Sequence, residues 1–170
     1  MRNIKNKRII IPVIIIIFIG AAISVLPWWS DIDITLNGIQ ARIGDEEYTE
    51  EKEINIRGRY WRYLFRNDRF EGRVEVEGYD FTFDERMWLV QLSFQKYKYG
   101  GASVLGYMGY ANGRFLDGAV WQIYSDPSFN KVLIINSDGN EGQLFISAPA
   151  DNRAQAIDIA NELENWRNWE

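Results

Sequence analysis

In residues 31–43, DIDITLNGIQARI, apolar side chains alternate with polar ones on both sides of Asn37-Gly38: Ile32, Ile34 and Leu36 before it, Ile39, Ala41 and Ile43 after it. A period of two marks a strand with one buried face. An Asn-Gly pair between two such runs is the strongest short-range hairpin signal, because both residues tolerate the positive φ of a tight turn. The stretch is therefore expected to form two short strands turning at Asn37-Gly38.

The chain beyond it continues in short alternating runs. GDEEYTEEKE (44–53) reads as an acidic loop, followed by strands in EINIRGRYWRYLF (53–65) and FEGRVEVEGYDFTF (70–83). The second of these places Val74 and Val76 on one face and Glu75 and Glu77 on the other. MWLVQLSF (87–94) aligns Trp88, Val90, Leu92 and Phe94. Glycines at 100, 101, 106, 109 and 113 point to a bent or closely packed strand ending in an Asn112-Gly113 turn. AVWQIYSDPSFNKVLIIN (119–136) reads as two strands joined at Asp126-Pro127, and GQLFIS (142–147) as the last strand. After Pro149 the period changes, with Ala156, Ile159, Ala160, Leu163 and Trp166 at helical spacing and Asp151 placed to cap the start. The expected fold is mainly β (α+β by count): a single antiparallel sandwich or barrel of about eight or nine strands, with one C-terminal helix at about 151–166.

Ahead of these strands runs KRIIIPVIIIIFIGAAISVLPWWSD (7–31), in which the 18 residues from Ile9 to Leu26 carry no charge. As a helix that run spans about 27 Å, close to the thickness of a bilayer's hydrocarbon layer. A signal-peptide core is shorter, about 7–15 residues. Arg2, Lys5, Lys7 and Arg8 precede the run and Asp31 and Asp33 follow it, which holds the N-terminus in the cytoplasm. Trp28 and Trp29 sit where interfacial aromatics lie. The division is then a cytoplasmic basic tail (1–8), a single-pass transmembrane signal-anchor (9–29) and an extracytoplasmic β-rich domain (30–170). The competing reading is cleavage among Gly20, Ala21, Ala22 and Ser24, which would release the domain.

Composition narrows the chemistry. Four of the 19 Lys and Arg precede the apolar run and all 24 Asp and Glu follow it, so the exported part carries 15 − 24 = −9. That charge argues against nucleic acid as a partner. The chain contains neither cysteine nor histidine. Disulfides, Ser-His and Cys-His nucleophiles and the usual zinc sites are thereby excluded. No catalytic residue, no cofactor and no convincing metal site is assigned.

Two stretches remain as candidate sites. RGRYWRYLFRNDRFEGR (57–73) interleaves Arg57, Arg59, Arg62 and Arg66 with aromatics including Trp61. Arginine grips carboxylate or phosphate bidentately and stacks on rings, so this stretch is the candidate surface for a protein partner or an anionic envelope component. In an extended chain Arg57 and Arg59 share one face and Arg62 and Arg66 the other. The competing reading is a solvated face whose arginines pair with nearby glutamates. NSDGNEG (136–142) offers Asp138, Asn140 and Glu141 as a weak calcium candidate, though Glu141 stands where an EF-hand needs glycine. A further possibility is a ligand-binding barrel whose mouth is lined by Trp61, Trp88, Trp121, Tyr107, Tyr110 and Tyr124. A carboxylate-dependent envelope hydrolase is a remote third.

The apolar run, together with RYLFRNDRFEGRVEVEGYDFTF, GRFLDGAVWQIYSDPSFNKVLI and LFISAPADNRAQAIDIANEL, resembles an uncharacterised family of small single-pass membrane-anchored proteins of low-GC Gram-positive bacteria. The resemblance implies a bacterial cell-membrane setting with the C-terminal domain outside, and it transfers no activity and no site residues. The expectation from the sequence is an anchored extracytoplasmic interaction module.

Overall fold

The computed structural model describes residues 12, 14–16, 20, 26–85, 89–94, 101–106, 109–111, 114–116, 120–136 and 143–164. The protein is mainly antiparallel β with one C-terminal helix. In chain order the strands are β1 (Trp28–Arg42), β2 (Asp45–Arg62), β3 (Asp68–Val76), β4 (Val90–Phe94), β5 (Gly101–Gly106), β6 (Gly109–Ala111), β7 (Arg114–Leu116), β8 (Val120–Ser125), β9 (Val132–Asn136) and β10 (Leu144–Ala148). Helix α1 (Arg153–Leu163) follows, and a short 3-10 turn (Asp80–Phe83) lies between β3 and β4. Eight strands close into a barrel in the order β1-β10-β9-β8-β5-β4-β3-β2, and β6 and β7 form a separate two-stranded hairpin. Each barrel strand therefore lies beside its neighbour in sequence, except that the small hairpin is inserted between β5 and β8. Its residues Ala111 and Arg114 pair across 112–113, bracketing the expected Asn112-Gly113 turn, which itself lies outside the described residues.

The hairpin expected at Asn37-Gly38 does not form. β1 runs without interruption for 15 residues through that pair, and its register with β2 is continuous from Trp28↔Arg62 to Ala41↔Thr49. The chain reverses instead at Ile43-Gly44, where Gly44 adopts φ +79° and Arg42 pairs with Asp45. The physical reason is a change in which face of the strand is covered. Ile32, Ile34 and Leu36 point into the barrel core, whereas Ile39 and Ala41 point outward and pack under α1 with Leu133, Ile135 and Phe145. Alternation never breaks along β1, but the apolar set moves from the inner face to the outer one. Gly38 serves a different purpose from the one its neighbour suggested. A Cβ there would stand 2.6 Å from the Ser147 carbonyl oxygen and 2.9 Å from Ala148 Cβ, so only glycine lets β10 approach and close the barrel.

The acidic stretch 45–53 is likewise strand rather than loop, because pairing to β1 satisfies its backbone while its glutamates face water. Other expectations hold. Val74, Val76, Val90, Leu92 and Phe94 are buried in the core, although Trp88 lies outside the described residues. β9 reads as an unbroken apolar run, VLIIN, because both of its faces are covered: Val132 and Ile134 face the barrel and Leu133 and Ile135 face the helix. Helix α1 buries Ala156, Ile159 and Ala160 as its spacing requires, but its N-cap is Asn152, whose side-chain oxygen accepts from the Gln155 N–H at 3.0 Å. Asp151 sits one residue too early to reach that donor, and Trp166 lies outside the described residues.

The barrel is filled rather than hollow at its two ends. Tyr60, Phe70, Phe94 and Phe129 pack ring against ring at one end, with centroids 4.8–6.4 Å apart. Trp121 meets Tyr79 and Phe81 edge-on at 4.7 and 5.4 Å toward the other.

Candidate functional site on the outer face of β1–β3

The register of β1 with β2 builds this site. Odd-numbered residues of both strands face outward here, so Trp29 stands opposite Trp61, Asp31 opposite Arg59 and Asp33 opposite Arg57. Arg57 Nε lies 3.2 Å from Asp33 Oδ1, and Arg59 Nε lies 3.6 Å from Asp31 Oδ1. The Arg59 guanidinium is 4.8 Å from the Trp29 ring and 6.0 Å from the Trp61 ring, so it lies near two tryptophans as well as beside a carboxylate. β3 adds the next column, with Arg69, Glu71 and Arg73 opposite Trp61, Arg59 and Arg57. Arg69 Nη2 pairs with Glu71 Oε2 at 3.4 Å, and Arg73 donates to the Asp84 and Glu85 carbonyl oxygens at 3.1 and 2.7 Å.

Asp31, Asp33, Arg57, Arg59, Trp61, Glu71 and Arg73 line an open cleft of about 710 Å³, whose lining also includes the exposed Leu89. Beneath it Gly58 and Gly72 are register partners, and a Cβ on either would meet backbone atoms at 2.2–2.7 Å. The Phe70 ring covers both glycines from inside the barrel, at 2.8 and 2.5 Å from the positions their Cβ atoms would take. Ion pairs this exposed are each worth about 0–1 kcal/mol, so the cleft's charges can exchange partners at small cost.

Of the arginines singled out from the sequence, the structure gathers Arg57 and Arg59 with Trp61. Arg62 belongs to the opposite face of β2, with its guanidinium 5.7 Å from the Tyr60 ring, and Arg66 lies in the turn between β2 and β3. The carboxylate partners of Arg57 and Arg59 are Asp33 and Asp31 rather than glutamates. A chain turning at Asn37-Gly38 would never have brought those aspartates beside β2. Trp28 and Trp29, assigned from sequence to the end of the anchor, begin β1.

A second polar cluster, unanticipated from sequence, closes the barrel end nearest the β1–β2 turn. Gln40 Nε2 donates to Tyr48 Oη at 2.8 Å, Tyr79 Oη donates to Gln40 Oε1 at 2.6 Å, and the buried Lys52 Nζ meets Glu50 Oε1 at 2.5 Å. Burial raises the Tyr79 phenol above its ordinary value, with Tyr48 and Glu50 adding to the effect. At the other end Tyr60 donates to Asp68 Oδ2 at 3.2 Å, and burial, then Asp68, drives its pKa well above the ordinary range.

The expected ligand mouth is not assembled from the described aromatics: Trp121 is core, Trp61 faces the outer cleft, and Tyr124 reaches toward α1, donating to Glu164 Oε1 at 3.0 Å. Trp88 and Tyr107 lie outside the described residues, as do Asp138, Asn140 and Glu141. Among the described residues no acidic cluster is arranged to hold a metal ion, and no helix is long and apolar enough to cross a membrane. No protein-family model, curated protein or solved structure matches this chain.

Proposed function

We propose that this protein is a non-catalytic extracytoplasmic interaction module, held in the cell membrane by the apolar run Ile9 to Leu26, whose outer β1–β3 face receives a protein partner. The observation that carries the reading is Arg59, which lines an open cleft with Trp61 and has its guanidinium within 4.8 and 6.0 Å of the Trp29 and Trp61 rings. Tryptophan and arginine dominate the binding energy of protein interfaces, because each presents a large contact surface with a polar tip. The mixed charge favours a protein over a polyanion. Asp31, Asp33 and Glu71 stand among the arginines, and their negative charge repels a polyanion where a protein of mixed charge can complement both signs. The aromatic packing inside the barrel favours this outer face over the interior as the place where a partner is met.

The test is a photo-crosslinking residue in place of Leu89 in the full-length protein in its own membrane, with adducts identified by mass. A defined adduct from position 89, absent when the crosslinker replaces Thr49 and lost in Arg59→Glu, is expected. Identical adducts from positions 89 and 49 would remove the cleft from consideration.

A further inference from the structure

Exposed apolar side chains are not spread over this molecule. Among the described residues from 26 to 164, the large exposed hydrophobics are Leu26, Trp28, Trp29, Leu64, Phe65, Phe83 and Leu89, and the first five lie at one end. The register explains the gathering: Trp28 pairs with Arg62, so the start of β1 stands beside the β2–β3 turn, residues 63–67. Phe65, at the tip of that turn, is 79% exposed and Trp28 is 64% exposed. Arg62 and Arg66 flank the pair Leu64-Phe65. The opposite end has the contrary character, with Asp45, Glu46, Glu47, Glu50 and Glu51 around the β1–β2 turn.

We infer that this tip is a membrane-docking surface: Leu64 and Phe65 enter the headgroup boundary beside Trp28 and Trp29, while Arg62 and Arg66 hold anionic phospholipid headgroups. The occupant follows from continuity. Trp28 is two residues beyond Leu26, where the uncharged run of 18 residues ends, so a bilayer holding that run meets this end of the barrel first. Apolar side chains flanked by two arginines suit an interface whose outer layer is anionic and whose inner layer is hydrocarbon. The acidic end is thereby directed away from the like-charged surface, and the barrel stands with a fixed orientation rather than swinging on its anchor. The inference rests on the anchored reading proposed above.

The test uses full-length protein reconstituted in phosphatidylglycerol–phosphatidylethanolamine vesicles containing brominated lipid. The chain has no cysteine, so Leu64→Cys and Glu46→Cys each accept one fluorophore. Strong quenching at position 64 and none at 46 is expected, with at least a twofold loss at 64 when Arg62→Glu and Arg66→Glu are added. Equal quenching at the two positions, in protein that still resists alkaline extraction, would overturn the docking surface and leave the anchor standing. Release by alkaline extraction would remove the anchor, and this inference with it.

Discussion

Substituting the two residues of Asn37-Gly38 separately distinguishes a continuous strand from a turn. In the observed fold Gly38 faces β10, and a methyl group there would meet Ser147 O at 2.6 Å, Ala148 Cβ at 2.9 Å and the Ser147 carbonyl carbon at 3.1 Å. Carbon atoms attract only at about 3.5–4.0 Å, so β10 must move away from β1. Overpacking of this kind costs about 1–3 kcal/mol, and the upper half of that range applies because two of the three obstructing atoms are backbone. Each kcal/mol lowers the melting temperature of a chain this long by about 2–4 °C, so Gly38→Ala should melt roughly 4–12 °C lower. Asn37 points outward from the same strand and is exposed. Asn37→Thr places a β-branched residue on a pleated surface and should change stability by less than about 0.5 kcal/mol. In a tight turn the order would reverse, since threonine resists positive φ. The assay is thermal denaturation of the full-length protein in micelles, followed by near-ultraviolet circular dichroism. Asn37→Thr melting lower than Gly38→Ala would refute the continuous strand.

Phe129 is buried at φ 56° and its ring touches those of Tyr60, Phe70 and Phe94, so Phe129→Ala should cost about 3–5 kcal/mol in the same melting assay. The raised pKa of Tyr60 has a stability consequence: above pH 10 the unfolded chain releases this proton while the folded chain keeps it. The contribution is thus complete below pH 10 and is lost as pH rises toward the folded pKa. Melting temperature should fall from pH 10 upward, and less steeply in Tyr60→Phe; an unchanged slope would detach Tyr60 from alkaline unfolding.

β3, β4 and α1 were legible because one face of each alone is covered. β3 and β4 follow their alternation because their outer faces meet water, and α1 follows its 3.6 period for the same reason. The misreading at Asn37-Gly38 arose where cover changes sides, since a local pattern records which side chains are apolar but not which layer shields them. The arginine-rich stretch was visible as a candidate, and its separation into two faces followed from the strand period. Its partners Trp29, Asp31 and Asp33 were not, because they lie 24 to 32 residues away and are selected by a register set at Gly44. The Gln40–Tyr48–Glu50–Lys52–Tyr79 cluster left no sequence signal, because its members are ordinary surface residue types and only the closing barrel buries Gln40 and Lys52 among them.

By itself, then, the sequence determined composition-level chemistry and local periodicity: no histidine or cysteine chemistry, an uncharged N-terminal run, short alternating strands and a terminal amphipathic helix. Those properties depend on residue type and near-neighbour spacing alone. Tertiary structure decided the closure of β1 on β10, the reversal at Gly44 in place of Gly38, the placing of Arg59 near two tryptophans and the gathering of exposed apolar residues at one end. Each depends on contacts that form only when the strands pair, and at Gly38 the space left for a single Cβ decides whether β10 can close on β1.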